Sequence, residues 1–100
     1  MAITYIEQYE TKKAFTEMSL SDGKYVIDYI VTGPIDSEPD AVSATISRKD
    51  ADGNPIRVGY ASYNAGAASV RFDSMTTAVP VYAQATVSAQ FFNDLQTILE

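Results

Sequence analysis

Asp36, Glu38 and Asp40 alternate through GPIDSEPD (residues 33–40), and Asp50, Asp52 and Asn54 alternate through KDADGNP (residues 49–55). Oxygen ligands at that spacing could hold a hard cation such as Ca2+, and paired carboxylates could divide acid and base roles in glycoside cleavage. Neither pattern completes itself. A calcium loop opening at Asp50 needs glycine sixth and glutamate twelfth, where this chain has Pro55 and Ala61. Asp-Gly-Asn-Pro between two β-rich runs is first of all turn chemistry. The residue 33–40 segment, with two prolines, reads as an exposed loop, and exposure does not raise one carboxyl pKa above its neighbour's as acid/base catalysis requires. Ser21 and Lys24 match the S-x-x-K spacing of serine acyl-enzymes by letters only. In those enzymes the pair opens a helix, whereas here it straddles a turn.

The chain has no cysteine and no histidine. That removes thiolate and imidazole ligands, the commonest general base and the commonest activator of a nucleophile. No nucleotide-binding or acyl-transfer fingerprint occurs. The expectation is therefore a protein that is not an enzyme and has no cofactor and no metal. Thirteen acidic residues against seven basic give a net charge of −6, which repels phosphate backbones and anionic lipid, so neither nucleic acid nor membrane is expected as a partner. The start, MAITYIEQYETKK, lacks the basic and apolar regions of a signal peptide, and no run of apolar residues would span a bilayer. Cytoplasmic synthesis and a soluble location, with incorporation in a virion or other assembly, are the matching expectation.

Seven tyrosines without a tryptophan are what remains as binding chemistry. Tyrosine suits interfaces because it brings large area, few rotors and a hydroxyl. Tyr25, Tyr29 and Tyr60 read as sheet core. Ile3, Tyr5, Tyr9, Tyr63 and Tyr82 are the candidate interface residues, the first three on an edge-strand arm over residues 2–10. A second reading makes Tyr60, Tyr63 and Tyr82 a stacking platform for a carbohydrate or other small ligand.

The elements that must position these groups follow from periodicity. Residues 14–20 and 24–31 are apolar, β-rich runs joined by Ser21-Asp22-Gly23, a hairpin signal. Residues 41–47 alternate, with Val42, Ala44 and Ile46 inward. Further strands are expected at 56–63 and 69–73, with a last strand from Val79 to Val87 in which Pro80 marks a start or an edge. From Ser88 to Glu100 the apolar residues Phe91, Phe92, Leu95, Ile98 and Leu99 form one helical stripe, with Ser88 as its N-cap. A 100-residue chain of this composition is one domain. Tight turns make the sheet antiparallel. The expected class is α+β, a single antiparallel sheet or roll of six to seven strands with the C-terminal amphipathic helix packed on it; a β-sandwich or barrel with a helical plug is the alternative. The expected function is a structural or interaction module in a homo-oligomeric assembly, of the type of a phage virion accessory protein, whose partners are other protein subunits including its own copies.

Overall fold

The computed structural model describes residues 9–34, 39–73 and 79–99, with the side chains of Tyr9 and Glu10 excepted. Within them lie β1 (Tyr9–Leu20), β2 (Gly23–Pro34), β3 (Ala41–Lys49), β4 (Pro55–Asn64), β5 (Ala67–Phe72) and α1 (Val81–Leu99). The strands form one antiparallel sheet in the order β1-β2-β3-β4-β5, each paired with its chain neighbour. The fold is thus α+β, with five strands among the described residues where six to seven were expected.

Each tight connection has its local cause. Leu20 pairs with Gly23 across Ser21-Asp22, and Gly23 takes φ +150°, a backbone region that glycine enters without steric cost. Asp50 Oδ1 accepts the amides of Asp52 and Asn54, both at 2.9 Å, and Gly53 turns through φ +82°. The Asp50 carboxylate thus organises a turn, as the residues suggest. Ala65 and Gly66 both have positive φ, 51° and 88°, so β4 and β5 are closed by the left-handed turn that matches strand twist.

Alternation of side chains decides which face is dry. Tyr25, Ile27, Tyr29 and Val31 of β2, Val42, Ala44 and Ile46 of β3, and Val58 and Ala61 of β4 are buried on one side. α1 lies on that side and contributes Ala83, Val87, Phe91 and Leu95, one residue per turn. Val79, just before the helix, extends the same series and is also buried.

Two sequence expectations are corrected here. Residues 79–87 are not a strand. Their alternation of small apolar residues contains the series Val79, Ala83, Val87 at a spacing of four, which runs on into Phe91 and Leu95; a stripe more than four turns long outweighs a short period-two pattern. Consequently Ser88 sits mid-helix and is no cap. The helix begins where Pro80, which has no amide proton, supplies the carbonyl for Gln84 N at 3.0 Å, while Gln84 Nε2 donates to the Val79 carbonyl at 2.9 Å. Within the expected stripe, Phe91 and Leu95 are buried and Ile98 and Leu99 pack on the core's rim, but Phe92 is 46% exposed.

The second correction concerns Tyr60, expected in the core and found 44% exposed. The β3–β4 register shifts between Ile46 and Ser47: Gly59 faces Ile46, Arg57 faces Ser47, and Val58 is the extra residue. This bulge buries Val58 and Gly59 in succession and turns Arg57 and Tyr60 together to the opposite face. Gly59 is required there, because a Cβ would collide with the Arg71 carbonyl oxygen of β5.

Candidate functional site

Two carboxylates fasten α1 to the sheet. Asp22, in the β1–β2 turn, accepts Tyr25 Oη at 2.6 Å and Arg48 Nη1 at 3.0 Å on Oδ2, and Tyr82 Oη at 2.9 Å on Oδ1. Ser21 Oγ lies 2.6 Å from the same Tyr82 oxygen, and since that phenol donates to Asp22 the serine is its donor. Tyr82, on the first turn of α1, is thereby tied to a turn sixty residues earlier. Arg48 also lies over the Tyr25 ring, its Cζ 5.9 Å from the centroid. Farther along the helix, Asp94 accepts Tyr29 Oη at 2.5 Å and Thr16 Oγ1 at 2.8 Å on one oxygen, and Gln90 Nε2 at 2.7 Å on the other.

These environments shift Asp22 and the phenols of Tyr25 and Tyr29 in a definite direction. Burial alone would raise the Asp22 carboxyl, but the donors Tyr25, Tyr82 and Arg48 and its own amide outweigh that and hold it below its ordinary value of 3.8. Burial, with the Asp22 carboxylate beside it, pushes the Tyr25 phenol up to about 12. Burial and the bond to Asp94 push Tyr29 up as well. A carboxylate that stays ionised beside phenols that stay protonated is suited to holding elements together and poorly suited to passing protons near neutrality. Both clusters read as fastenings.

The opposite face of the sheet carries no layer of its own among the described residues. Across the strands its rows read Lys13, Ile30, Ser43, Ser62, Ser69, then Phe15, Asp28, Thr45, Tyr60, Arg71. Phe15 is 67% exposed, Ile30 45% and Tyr60 44%. Phe15 lies diagonally to Ile30 and Val26, within reach across the β1–β2 pair. Arg57, displaced to this face by the bulge, donates to Tyr60 Oη, stacks its Cζ 4.4 Å from the ring centroid and pairs with Asp73 at 3.2 Å. Lys49 and Glu17 meet at 3.9 Å on the same face. The arrangement offers exposed aromatic and aliphatic surface ringed by charge, the composition of a protein-binding surface.

The candidate interface residues fall in different places. Ile3 and Tyr5 lie outside the described residues, and Tyr9 opens β1 with its side chain undescribed. Tyr63 is half-buried on the helix side, Tyr60 is on the open face and Tyr82 is on α1. The structure therefore does not bring Tyr60, Tyr63 and Tyr82 together as a stacking platform. Asp36 and Glu38 lie outside the described residues; Asp40, Asp50 and Asp52 are exposed, and no group of three acids gathers to hold a metal among the described residues. Phe15 and Ile30 were missed as candidates, although parity reveals Phe15: it shares its face with Lys13 and Glu17, while Thr16, Met18 and Leu20 face α1. No helix of the described residues is long and apolar enough to cross a membrane. No protein family, no curated protein and no solved structure matches the chain.

Proposed function

We propose that this chain is a non-enzymatic interaction module, a subunit that assembles with other protein subunits, its own copies among them. The observation that carries the reading is the uncovered sheet face, where Phe15, Ile30 and Tyr60 are each 44% or more exposed across β1, β2 and β4. Three large apolar groups on one flat face are costly to leave in water, at about 25 cal/mol per Å² of apolar surface, and a neighbouring subunit removes that cost. The exposed Tyr82 and Phe92 on α1 add contact surface on the other side. A small, acidic, cysteine-free, β-rich chain of this kind corresponds by type to the accessory subunits of phage virions.

The native mass tests the reading. Light scattering at micromolar concentration is expected to give a multiple of the 10.9 kDa chain mass, and Phe15→Asp to reduce that multiple while circular dichroism stays unchanged. A mass of one chain at every concentration overturns it.

A further inference from the structure

The open face of the sheet also gathers the chain's positive charge. Lys13, Lys24, Lys49, Arg57 and Arg71, five of the seven basic residues, project from the same side as Phe15, Ile30 and Tyr60. The acids there among the described residues are Glu17, Asp28 and Asp73. Five cations against three carboxylates leave this face an excess of two positive charges among the described residues, on a chain whose net charge is −6, while the described side chains off the face set Asp22, Asp40, Asp50, Asp52 and Asp94 against Lys12 and Arg48, a net −3. Part of that acidity is displayed at the two ends of the sheet, Asp50 and Asp52 in the β3–β4 turn and Asp40 where β3 begins; all three are exposed.

A molecule with one basic face and an acidic remainder is polar in a way that selects how two copies meet. Face against face sets cations against cations. Face against remainder sets opposite charges together, and the apolar groups at the face's centre are covered in the same step. We infer that the open sheet face receives an acidic surface of a second copy, so that copies associate head to tail. The inference rests on the reading of the chain as an assembly subunit and adds which surface is used, with what partner chemistry. A contact of this kind is heterologous, and it builds rings or filaments instead of closed two-fold pairs. Nucleic acid fits the face less well than a copy does: Asp28 stands between Phe15 and Thr45 in the central row, and the acidic remainder repels a long polyanion.

The experiment is sedimentation velocity on the full chain as salt rises from about 0.01 M to about 1 M, which shortens the screening length from roughly 30 Å to 3 Å. The expected result is association that weakens by about tenfold or more across that range, and that is lost in Arg57→Glu/Arg71→Glu with the circular dichroism spectrum kept. Because Arg57 also holds Tyr60 and Asp73, Lys13→Glu/Lys24→Glu serves as a second variant and is expected to behave alike. Association that is indifferent to salt or strengthened by it, or that survives both variants, overturns the head-to-tail contact and leaves the assembly reading standing. A wild-type chain that is monomeric at low salt overturns both. Tight binding of a fluorescent oligothymidylate at low salt, abolished by the same variants, overturns a second copy as the occupant.

Discussion

Asp22 does at the scale of one residue what the fold requires of a junction. Its two oxygens collect Tyr25, Arg48 and Tyr82, groups from β2, β3 and α1, at a turn held open by Gly23. Gly23 matters beyond its φ, since a Cβ there would press on the Arg48 stem at 3.3 Å, closer than an ordinary van der Waals contact. The sign of the pH effect follows from the lowered carboxyl. Above its ordinary value of 3.8, Asp22 is ionised in both the folded and unfolded chain, and its full stabilisation is present; that contribution is lost as pH falls through the lower folded value. Tyr25 works in the other direction. Its contribution is whole below 10, where the unfolded phenol keeps its proton, and disappears as pH rises through about 12. Asp22→Asn leaves three donors facing a neutral, half-matched amide, so urea unfolding at pH 7 is expected to show a loss of about 1–3 kcal/mol. The same variant should flatten the acid limb of the stability profile. An acid limb as steep as wild type's would show that Asp22 is not its source.

At the scale of the element, α1 shows how one face is selected from two. Phe91 and Phe92 are adjacent and equally apolar, yet Phe91 is fully buried, stacked on Tyr29 with ring centroids 6.2 Å apart, while Phe92 meets Phe91 only edge-on and is 46% exposed. Phe91→Ala should therefore cost about 3–5 kcal/mol by cavity formation, and Phe92→Ala under about 1 kcal/mol, in chemical denaturation. Similar costs would mean that α1 is rotated from the orientation described. The same helix marks where sequence reading stops. The positions of β2 to β5 and the turns were legible from Gly23, Gly53, Gly66 and the alternating runs, because turn chemistry and period two are local signals, whereas β1, expected from residue 14, begins at Tyr9. The start of α1 was not legible, since small residues at spacing two also satisfy spacing four and only the sheet beneath decides between them. Tyr60 escaped because a bulge at Val58 reverses parity without leaving a mark in residue type, and the Asp22–Tyr82 junction escaped because its partners are sixty positions apart. The open face was legible in Phe15, which interrupts the polar parity Thr11, Lys13, Glu17, Ser19 of β1, and in Val26 and Ile30, which put apolar bulk on the second face of β2.

At the scale of the whole molecule, the described residues form two layers, and neither completes itself. A single antiparallel sheet must cover at least one face, and this one covers Tyr25, Ile27, Tyr29, Val42, Ile46 and Val58 with a single helix fastened at Asp22 and Asp94. A 19-residue helix spans roughly 28 Å, long enough to roof the middle of the sheet, and α1 has only Asp94 as a charged side chain. That charge is spent on Thr16, Tyr29 and Gln90, so the helix is held by the sheet as much as the sheet is covered by the helix. Tyr63, Val70 and Phe72 toward the β5 edge are only half-covered, which leaves little margin if the roof is lost. Ending the chain after Pro80 therefore exposes both faces of the meander at once. The expected outcome is loss of the near-ultraviolet signal of Tyr25 and Tyr29, loss of a cooperative thermal transition, and aggregation through the uncovered face. Adding residues 81–100 back in trans should restore the transition, because the fastenings at Asp22 and Asp94 are side-chain contacts that do not need a continuous backbone. A truncated chain that melts cooperatively on its own would show that the sheet is stable without its roof, and the helix would then have to be explained by what it contacts outside the monomer.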